Sequence, residues 1–413
     1  MYSFSMSNVP QPQPMFRMVR TALKSGLLPE FFTMARYRCS PYMGCGHGCS
    51  YCDGRAERYY VEGQFDRDIV CRRNLPDLLQ KELPRLREYG PISISSGITD
   101  AYQPIEAELG ITRACAEVLQ HYQFPVTVLT KSNLIERDLD LWSKVNQQSN
   151  FLLMMTITTL NEDVAAAFEP GAPTVEERLQ TLQRFKEAGC SVGVLAMPLL
   201  PGVSDNAQPM HNLFERLQRI PVDFIVPGGL TLRPGRQKQV FLQQLSAWLQ
   251  TDSSGCSENF SSGDLLTLYD RLYANQLASG NPMPAYRKQL EQRFRSLHRA
   301  TRVAPFIPHR VYRRHLNTAD ELYILLHQMQ DWYDRQGVET GRLADSCHRY
   351  TDWLIARKKK LGTTRGSGPT HNMRALIDEA LDSGELSRVI GNPRLNRFLC
   401  EVCREGRVFA PWE

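Results

Sequence analysis

The feature that most constrains the fold is an alternation between short apolar runs and amphipathic stretches, from Pro91 to about residue 250. Each run has the length of a buried strand and each stretch has helical spacing, so the pattern predicts a series of βα units. The predicted strands, including one just before a cysteine-rich segment, are residues 35–38, 92–96, 126–130, 152–158, 192–197 and 222–226. Six strands are too few for a closed eight-stranded barrel. We therefore expect an α/β fold of the partial (β/α)6 TIM-type barrel class.

One helix of this series has clear end signals. Thr174 and Glu177 have the spacing of a capping box, and Gly189 follows the last apolar position, where a left-handed backbone often ends a helix. The apolar residues between them share one helical face, which should pack on the sheet. They are Val175, Leu179, Leu182 and Phe185.

Composition along the chain divides it into four parts. Residues 1–14, with three prolines and little apolar content, are expected to be a disordered tail, and residues 15–250 to form the barrel. The Ser- and Gly-rich residues 251–263 read as a linker, and residues 264–413 as a helical, basic region. The helices predicted there are 265–278, 285–298, 319–335, 341–360 and 373–383.

Cysteine usage and hydropathy bear on the compartment. The chain has 11 cysteines, an odd number, and no secretory signal pattern, which favours reduced thiols in the cytoplasm. We find no apolar stretch long enough to span a membrane and expect no membrane partner. The segment Met15–Leu28 lacks acidic residues and could be read as a transit peptide, but a docked first helix is the preferred interpretation.

Three cysteines within one short segment indicate chemistry. Cys45, Cys49 and Cys52 have the spacing C-x3-C-x2-C, and the glycines between them let the backbone pass close to a bulky ligand. Three thiolates can hold a [4Fe-4S] cluster and leave one of its irons without a protein ligand. A structural zinc site is the alternative, but His47 has no second spaced cysteine or histidine pair nearby. The spacing therefore favours the cluster.

The chain resembles the spore photoproduct lyase-like branch of the radical S-adenosylmethionine (SAM) superfamily, also described as DNA repair photolyase-like. The resemblance covers about residues 20–235 and includes the cysteine run. The other segments that carry it are Thr21–Ser25, Gly97–Glu106, Leu129–Ser132, Thr156–Leu160, Phe168–Pro173 and Val192–Gly202. It implies a radical SAM core that uses a [4Fe-4S] cluster and SAM. In such enzymes the reduced cluster cleaves SAM to methionine and a 5′-deoxyadenosyl radical, which abstracts hydrogen from a substrate.

The resemblance also implies site residues. Cys45, Cys49 and Cys52 match the catalytic, metal-binding cysteines. The positions that match cofactor-binding residues are Tyr51, Thr99, Asp100, Lys131 and Thr156. A SAM carboxylate on iron needs a cation and hydroxyl donors for its remaining lone pairs, and Lys131, Thr156 and Thr99 would supply them. Without the motif, Lys131 would be read as an ordinary surface lysine.

Two departures leave the substrate open. The loop 95–100 has no cysteine where spore photoproduct lyase carries its hydrogen donor, and Asp53 stands where the family usually has an aromatic residue. Cys115, in a helix predicted over 106–120, is expected to be a buried structural thiol. Cys400 and Cys403 could bind zinc or an auxiliary cluster together with Cys347 and His348, or could form a redox pair with each other, but two inert thiols are preferred.

Positive charge is concentrated in the carboxyl-terminal part. Residues 261–413 hold 24 Lys and Arg against 17 Asp and Glu, which suits contact with a polyanion. The candidate phosphate contacts are Arg357, Lys358, Lys359, Lys360, Arg365, Arg374, Arg388, Arg394, Arg397, Arg404 and Arg407. Nucleic acid is therefore one candidate substrate, and a peptide or small metabolite is the alternative. A zinc-containing nucleic-acid-binding protein without activity is the third hypothesis. A radical SAM enzyme would also need a one-electron donor such as flavodoxin or ferredoxin.

Overall fold

The computed structural model describes residues 12–86, 88–94, 97–251, 262–361 and 371–413. The strands within these ranges form a seven-stranded and a three-stranded sheet. They are β1 (Gln13–Arg17), β2 (Leu23–Ser25), β3 (Tyr37–Cys39), β4 (Tyr42–Met43), β5 (Asp68–Arg72), β6 (Ile92–Ile94), β7 (Val126–Thr130), β8 (Phe151–Thr156), β9 (Ser191–Leu199) and β10 (Phe224–Gly229).

The helices alternate with the strands up to β10 and then follow one another. They are α1 (Leu75–Glu82), α2 (Glu106–Leu109), α3 (Ile111–His121), α4 (Leu139–Gln148), α5 (Glu162–Phe168), α6 (Val175–Glu187), α7 (Ala207–Arg219), α8 (Arg236–Gln250), α9 (Ser262–Leu272), α10 (Pro284–Thr301), α11 (His309–Tyr312), α12 (Thr318–Arg335), α13 (Gly341–Leu361), α14 (His371–Asp382), α15 (Glu385–Ile390) and α16 (Pro393–Glu405). Short 3-10 segments cover Asp53–Arg55, Glu57–Tyr59, Leu83–Arg85 and Asn133–Asp138.

The larger sheet confirms the predicted partial barrel. Its order is β10-β9-β8-β7-β6-β3-β2. The first six strands of this order are parallel to one another, whereas β2 pairs with β3 in the antiparallel direction. Five of these strands are the apolar runs of the βα series, and β3 is the strand expected before the cysteines. Because β10 and β2 lie at opposite ends of this order, the sheet is open.

One face of this sheet packs against the helices of the βα units. Leu153 and Met155 of β8 and Val194 of β9 lie in a core with side chains from α1, α3, α4, α6 and α7. The capping box at Thr174 is present, and the apolar face predicted for α6 is buried. The spacing of apolar residues therefore predicted this helix layer correctly, because burial of one apolar face is the main source of stability for such helices.

The opposite face of the sheet packs against the carboxyl-terminal helices. Leu152 and Met154 alternate along β8 with Leu153 and Met155. They share a second core with Leu195, Phe224 and side chains from residues 304–409. Side chains of a strand point alternately to its two faces, so β8 is apolar along its whole length because both faces are covered. The basic region is thus a structural layer on the barrel.

A buried group of charges joins this layer to the barrel. Lys358 of α13 is 5% exposed, and its ammonium lies 2.5 Å from Glu88 and 2.6 Å from Asp320. Arg36 reaches the same Glu88 carboxylate at 2.8 Å. The predicted phosphate contact at Lys358 is therefore wrong, because its charge is already neutralised inside the protein.

Three predictions about local structure need correction. Met15–Leu28 is not a docked helix, since it contains β2 and most of β1, and β1 also takes in Gln13 and Pro14 of the predicted tail. The helix expected over 106–120 is interrupted at Gly110, which has a φ of +60°. Glu106 then accepts from the Thr112 amide at 2.8 Å and so caps α3. Most of the predicted linker lies outside the described residues, and α9 begins at Ser262.

In the part of the chain that the structure describes, no helix is both long and apolar enough to cross a bilayer.

Candidate metal centre and cofactor site

The three motif cysteines lie on one loop, residues 44–52, which follows β3 and β4. Cys45 and Cys49 are buried, Cys52 is partly exposed, and all three are free thiols. The negative charges that Cys49 and Cys52 would carry raise the pKa of Cys45, and the charge of Cys52 raises that of Cys49. We refer to residues 44–52 as the cysteine loop.

The chain after α5 holds the middle of the cysteine loop. The Gly171 amide donates to the His47 carbonyl at 2.9 Å, and His47 Nδ1 donates to the Gly171 carbonyl at 2.8 Å. The Ser50 amide donates to the Phe168 carbonyl at 2.9 Å. A Cβ on Gly171 would lie 2.5 Å from the Gly46 carbonyl oxygen, so this approach requires glycine.

Two buried polar side chains fix the ends of the cysteine loop. Gln103 accepts from the Gly46 amide at 2.7 Å and donates to the Gly44 carbonyl at 3.1 Å. Arg55 donates to the Cys49 carbonyl at 2.9 Å and to the Gly48 carbonyl at 2.8 Å. Backbone groups of a buried loop need such partners, because leaving them unpaired is costly.

Burial dominates the ionisation of the loop thiols. It raises the pKa of Cys45 well above its usual value and that of Cys49 to about 12, although the nearby Lys131 ammonium opposes the rise at Cys49. The pKa of Cys52 is also raised by burial, against the hydrogen bond from the Gly54 amide. These thiols are therefore protonated at neutral pH, and metal binding would have to release their protons.

Lys131, one of the predicted cofactor-binding residues, lies beside the cysteine loop and contacts another of them, Tyr51 of the loop itself. The Lys131 ammonium is 5.5 Å from the centroid of the Tyr51 ring, a cation–π contact. The Tyr51 hydroxyl donates to Glu169, which also accepts from the Thr158 hydroxyl at 3.0 Å. Lys131 thus carries positive charge toward the loop rather than standing on the open surface.

The Asp100 carboxylate accepts hydrogen bonds from several groups of the protein itself. It accepts from the Thr130 hydroxyl at 2.7 Å, the Lys131 amide at 2.8 Å and the Tyr102 amide at 2.8 Å, and lies 3.3 Å from His47 Nε2. Burial alone would raise the pKa of Asp100, but these hydrogen bonds outweigh it and hold the pKa below its usual value. In this structure Asp100 positions the Lys131 backbone and His47.

The two predicted threonines have different surroundings. Thr99 donates to the Gly44 carbonyl at 2.6 Å and so ties its own loop to the cysteine loop. Thr156 is the last residue of β8 and is buried, and its carbonyl accepts from Arg178 at 3.4 Å. The structure thus brings Thr99, Asp100 and Lys131 into contact with the cysteine loop, which itself contains Tyr51. The contacts of these four residues with SAM stay predictions.

Sequence reasoning missed a buried ion pair beneath this site. Arg178 of α6 lies 2.5 Å from Glu169, and both side chains are 1% exposed. Burial alone would raise the pKa of Glu169, but the positive charges of Lys131 and Arg178 keep it below its usual value. One signal was available, because Arg178 interrupts the apolar face formed by its neighbours Leu179 and Leu182.

The described residues contain no group of three His, Cys, Asp or Glu side chains close enough to share a single metal ion. Metal analysis, rather than this geometry, decides between a cluster and zinc at the cysteine loop. Cys115 is buried and contacts the Cys39 thiol, as a structural cysteine would.

Several predicted phosphate contacts are paired with acids of the chain. Arg357 binds Glu385, Arg404 lies 2.6 Å from Asp382, and Arg407 binds Glu401. Arg388, Arg394 and Arg397 of α15 and α16 are exposed. Arg365 and the side chain of Arg374 lie outside the described residues. The exposed positive charge is thus smaller than the composition suggests.

Comparison with known proteins finds matches to the part of the chain that contains this site. A family model described as the radical SAM superfamily matches residues 39–214, which include the cysteine loop, Lys131 and Arg178. An uncharacterised protein of Methanocaldococcus jannaschii is 29% identical over 188 residues, which are 45% of this chain and 69% of that protein. An uncharacterised protein of Mycobacterium tuberculosis is 27% identical over 203 residues, which are 48% of this chain and 59% of that protein. The match therefore spans less than two thirds of the mycobacterial relative.

Among solved structures, spore photoproduct lyase complexed with dinucleoside spore photoproduct is similar over 70% of this chain and 79% of that chain. The TM-score is 0.49 and the sequence identity is 16%.

Proposed function

We propose that this chain is a radical SAM enzyme, which the family match over residues 39–214 supports, and that Cys45, Cys49 and Cys52 hold a [4Fe-4S] cluster at which SAM is cleaved. The observation that carries the proposal is the presence of three free thiols on one loop, each within electrostatic reach of another. This donor set fits a cluster with three protein ligands and one iron left for the amino and carboxylate groups of SAM. When bound, that cluster supplies the electron that splits SAM into methionine and a 5′-deoxyadenosyl radical, which takes a hydrogen atom from the substrate.

The charges around the loop suit an anionic ligand beside the thiolates. Lys131 carries the positive charge that a SAM carboxylate would meet, and Asp100 fixes the Lys131 backbone through its amide at 2.8 Å. Glu169 and Arg178 neutralise each other below the site. The Lys131 ammonium lowers the pKa of both Cys49 and Cys52. Among the described residues, the Lys131 side chain has no hydrogen bond to an acid, so its charge remains available to a ligand.

Part of the loop has apolar surroundings. Cys49 and Tyr51 lie in an apolar cluster with Phe168, Leu200 and Leu230. An enclosed site matters for this chemistry because a primary carbon radical abstracts hydrogen from whichever C–H group lies nearest, so the groups that can approach it must be restricted. The loop backbone is held by Gln103 and Arg55, so these side chains would keep the thiolates in place while a ligand binds.

We assign the electron for the reaction to a flavodoxin- or ferredoxin-type donor, and the setting to a reducing cytoplasm. Every described cysteine is a free thiol, which agrees with such a compartment.

Nucleic acid is the substrate class that we propose. The support is the exposed arginines Arg388, Arg394 and Arg397 on the outer helices of the carboxyl-terminal layer, which can follow a phosphate backbone. A peptide or small metabolite is the alternative, and the salt dependence described in the Discussion separates the two.

Anaerobic metal analysis tests the cluster assignment directly. The purified and reconstituted chain should contain about four irons and four sulfides per molecule, and with dithionite and SAM it should form 5′-deoxyadenosine. A colourless protein with one zinc per chain would refute the assignment.

A further inference from the structure

A cavity lies beside β10 and is lined by residues outside the radical SAM match. It has a volume of about 410 Å³ and is bounded by β10, α10, α12 and the carboxyl-terminal residues. Pro227 of β10 is in its wall, and the carboxyl ends of α10 and α12 bring the other walls together. A volume of this size is within the range of small-molecule sites in proteins.

Aromatic rings form one wall of the cavity. Phe306, Trp332 and Trp412 all line it and contact one another edge to face, with centroids 5.1 to 6.3 Å apart. These contacts hold the rings in place. A rigid aromatic wall suits a planar ligand. The ligand can stack on these rings with little loss of side-chain conformational entropy, because the rings are already held in place.

Arginines form the rim of the same cavity. Arg295, Arg299, Arg302 and Arg335 line it, against two carboxylates, Glu291 and Asp331. Those carboxylates pair with Arg295 at 3.0 Å and with Arg335 at 2.9 Å. Arg299 and Arg302 are exposed and have no ion-pair partner among the described residues. The rim therefore has an excess of positive charge, which suits an anion.

A buried histidine forms part of the same wall. His298 lines the cavity and is 6% exposed, and its Nδ1 donates to the Val303 carbonyl at 2.9 Å. Burial lowers the pKa of His298 to about 4, so the ring is neutral and adds no charge to the cavity. The positive charge of the rim therefore comes from the arginines.

We propose that this cavity binds a nucleotide, with the base against the tryptophans and the phosphate on Arg299 and Arg302. The shared chemistry is a planar ring joined to a phosphate, and its source is either a free nucleotide or the phosphorylated end of a strand. This proposal adds a nucleotide-binding site to the proposed function. It rests on that function only in taking nucleic acid as the substrate class.

Calorimetric titration of the anaerobic, cluster-loaded chain in the presence of saturating SAM tests the proposal. The probes are cytidine monophosphate, ribose 5-phosphate, cytidine, and a short oligonucleotide with and without a 5′-phosphate. Cytidine monophosphate should bind at least about tenfold more tightly than cytidine, which lacks the phosphate, and more tightly than ribose 5-phosphate, which lacks the base. A preference for the 5′-phosphorylated oligonucleotide identifies a strand end, and a preference for the mononucleotide identifies a free nucleotide.

Matched variants separate the cavity from general charge effects. Arg299→Ala and Arg302→Gly should each weaken cytidine monophosphate binding about tenfold. Glycine is chosen at position 302 because Arg302 has a φ of +54°, which glycine adopts without strain. Arg184→Ala removes an exposed arginine of α6 outside the cavity and should leave binding within about twofold.

The proposal is overturned if no nucleotide binds at millimolar concentration, if cytidine binds as tightly as its phosphate, or if Arg184→Ala weakens binding as much as Arg299→Ala. Formation of 5′-deoxyadenosine is measured on the same preparations. Its absence with intact nucleotide binding would count against the radical SAM proposal and leave the cavity assignment standing.

Discussion

Arg178 and Glu169 form an ion pair with a distance of 2.5 Å and with both side chains 1% exposed. Glu169 also accepts from Tyr51 of the cysteine loop, and Arg178 donates to the Pro173 carbonyl at 2.9 Å. This pair therefore links helix α6 to the loop that we propose as the cluster site, and it lies where neither charge is screened by water.

Breaking this pair from one side should cost stability. Arg178→Met leaves the Glu169 carboxylate buried without its partner, so we expect the free energy of unfolding to fall by about 3–5 kcal/mol. Arg184→Met on the exposed side of the same helix should change it by less than about 0.5 kcal/mol. Anaerobic urea unfolding measures both. The double variant Arg178→Met with Glu169→Gln should be less destabilised than Arg178→Met, and equal loss in both would contradict the ion-pair explanation.

The cluster assignment predicts a sharp difference among cysteines. Cys45→Ala, Cys49→Ala and Cys52→Ala should each abolish 5′-deoxyadenosine formation, because a cluster that loses one of three thiolates loses its protein support. Cys400→Ala, on α16, should keep both the iron content and the activity. If the Cys400 variant loses the cluster absorbance as fully as the Cys45 variant, the assignment of a single site on the cysteine loop is wrong.

Close packing at Gly171 predicts a local effect on the cysteine loop. In Gly171→Ala the new Cβ would lie 2.5 Å from the Gly46 carbonyl oxygen and 2.9 Å from the His47 Cα, so the loop must shift. We expect a loss of about 1–3 kcal/mol of stability together with reduced iron incorporation. Gly263→Ala provides the control, since a Cβ there meets no atom within 4 Å. Normal iron content in Gly171→Ala would show that the loop tolerates the shift.

The buried lysine of the carboxyl-terminal layer should act on stability rather than on binding. Lys358→Met leaves Glu88 and Asp320 without the ammonium that lies 2.5 Å and 2.6 Å away, which should cost about 3–5 kcal/mol. The adjacent Lys359 is exposed, and Lys359→Ala should be within about 0.5 kcal/mol of the unmodified chain. Thermal or urea unfolding distinguishes them, and equal effects would refute the bridging role of Lys358.

Salt dependence tests the proposed nucleic-acid substrate. If Arg388, Arg394 and Arg397 contact phosphates, replacing all three with Ala should reduce the slope of log affinity against log salt by up to about three units. Iron content should be unchanged, because these residues lie on α15 and α16 rather than on the cysteine loop. An unchanged slope, or no binding to oligonucleotides at low salt, would favour a peptide or small-metabolite substrate.

The sequence alone determined the elements whose signals are local. The apolar runs placed the six parallel strands, the Thr174 capping box fixed the start of α6, and the cysteine spacing identified the proposed metal ligands. These signals are strong because burial of a whole strand, satisfaction of helix-end amides and a three-thiolate donor set each require particular residues at fixed spacing.

Only the tertiary structure decided which charges are available. Lys358 and Lys359 are neighbours with the same side chain, yet Lys358 is buried between two carboxylates and Lys359 is exposed. Likewise Arg299 of α10, Trp332 of α12 and Trp412 meet at one cavity. The energy of a charge depends on the partners and the burial that distant segments bring to it, and a linear pattern does not contain that information.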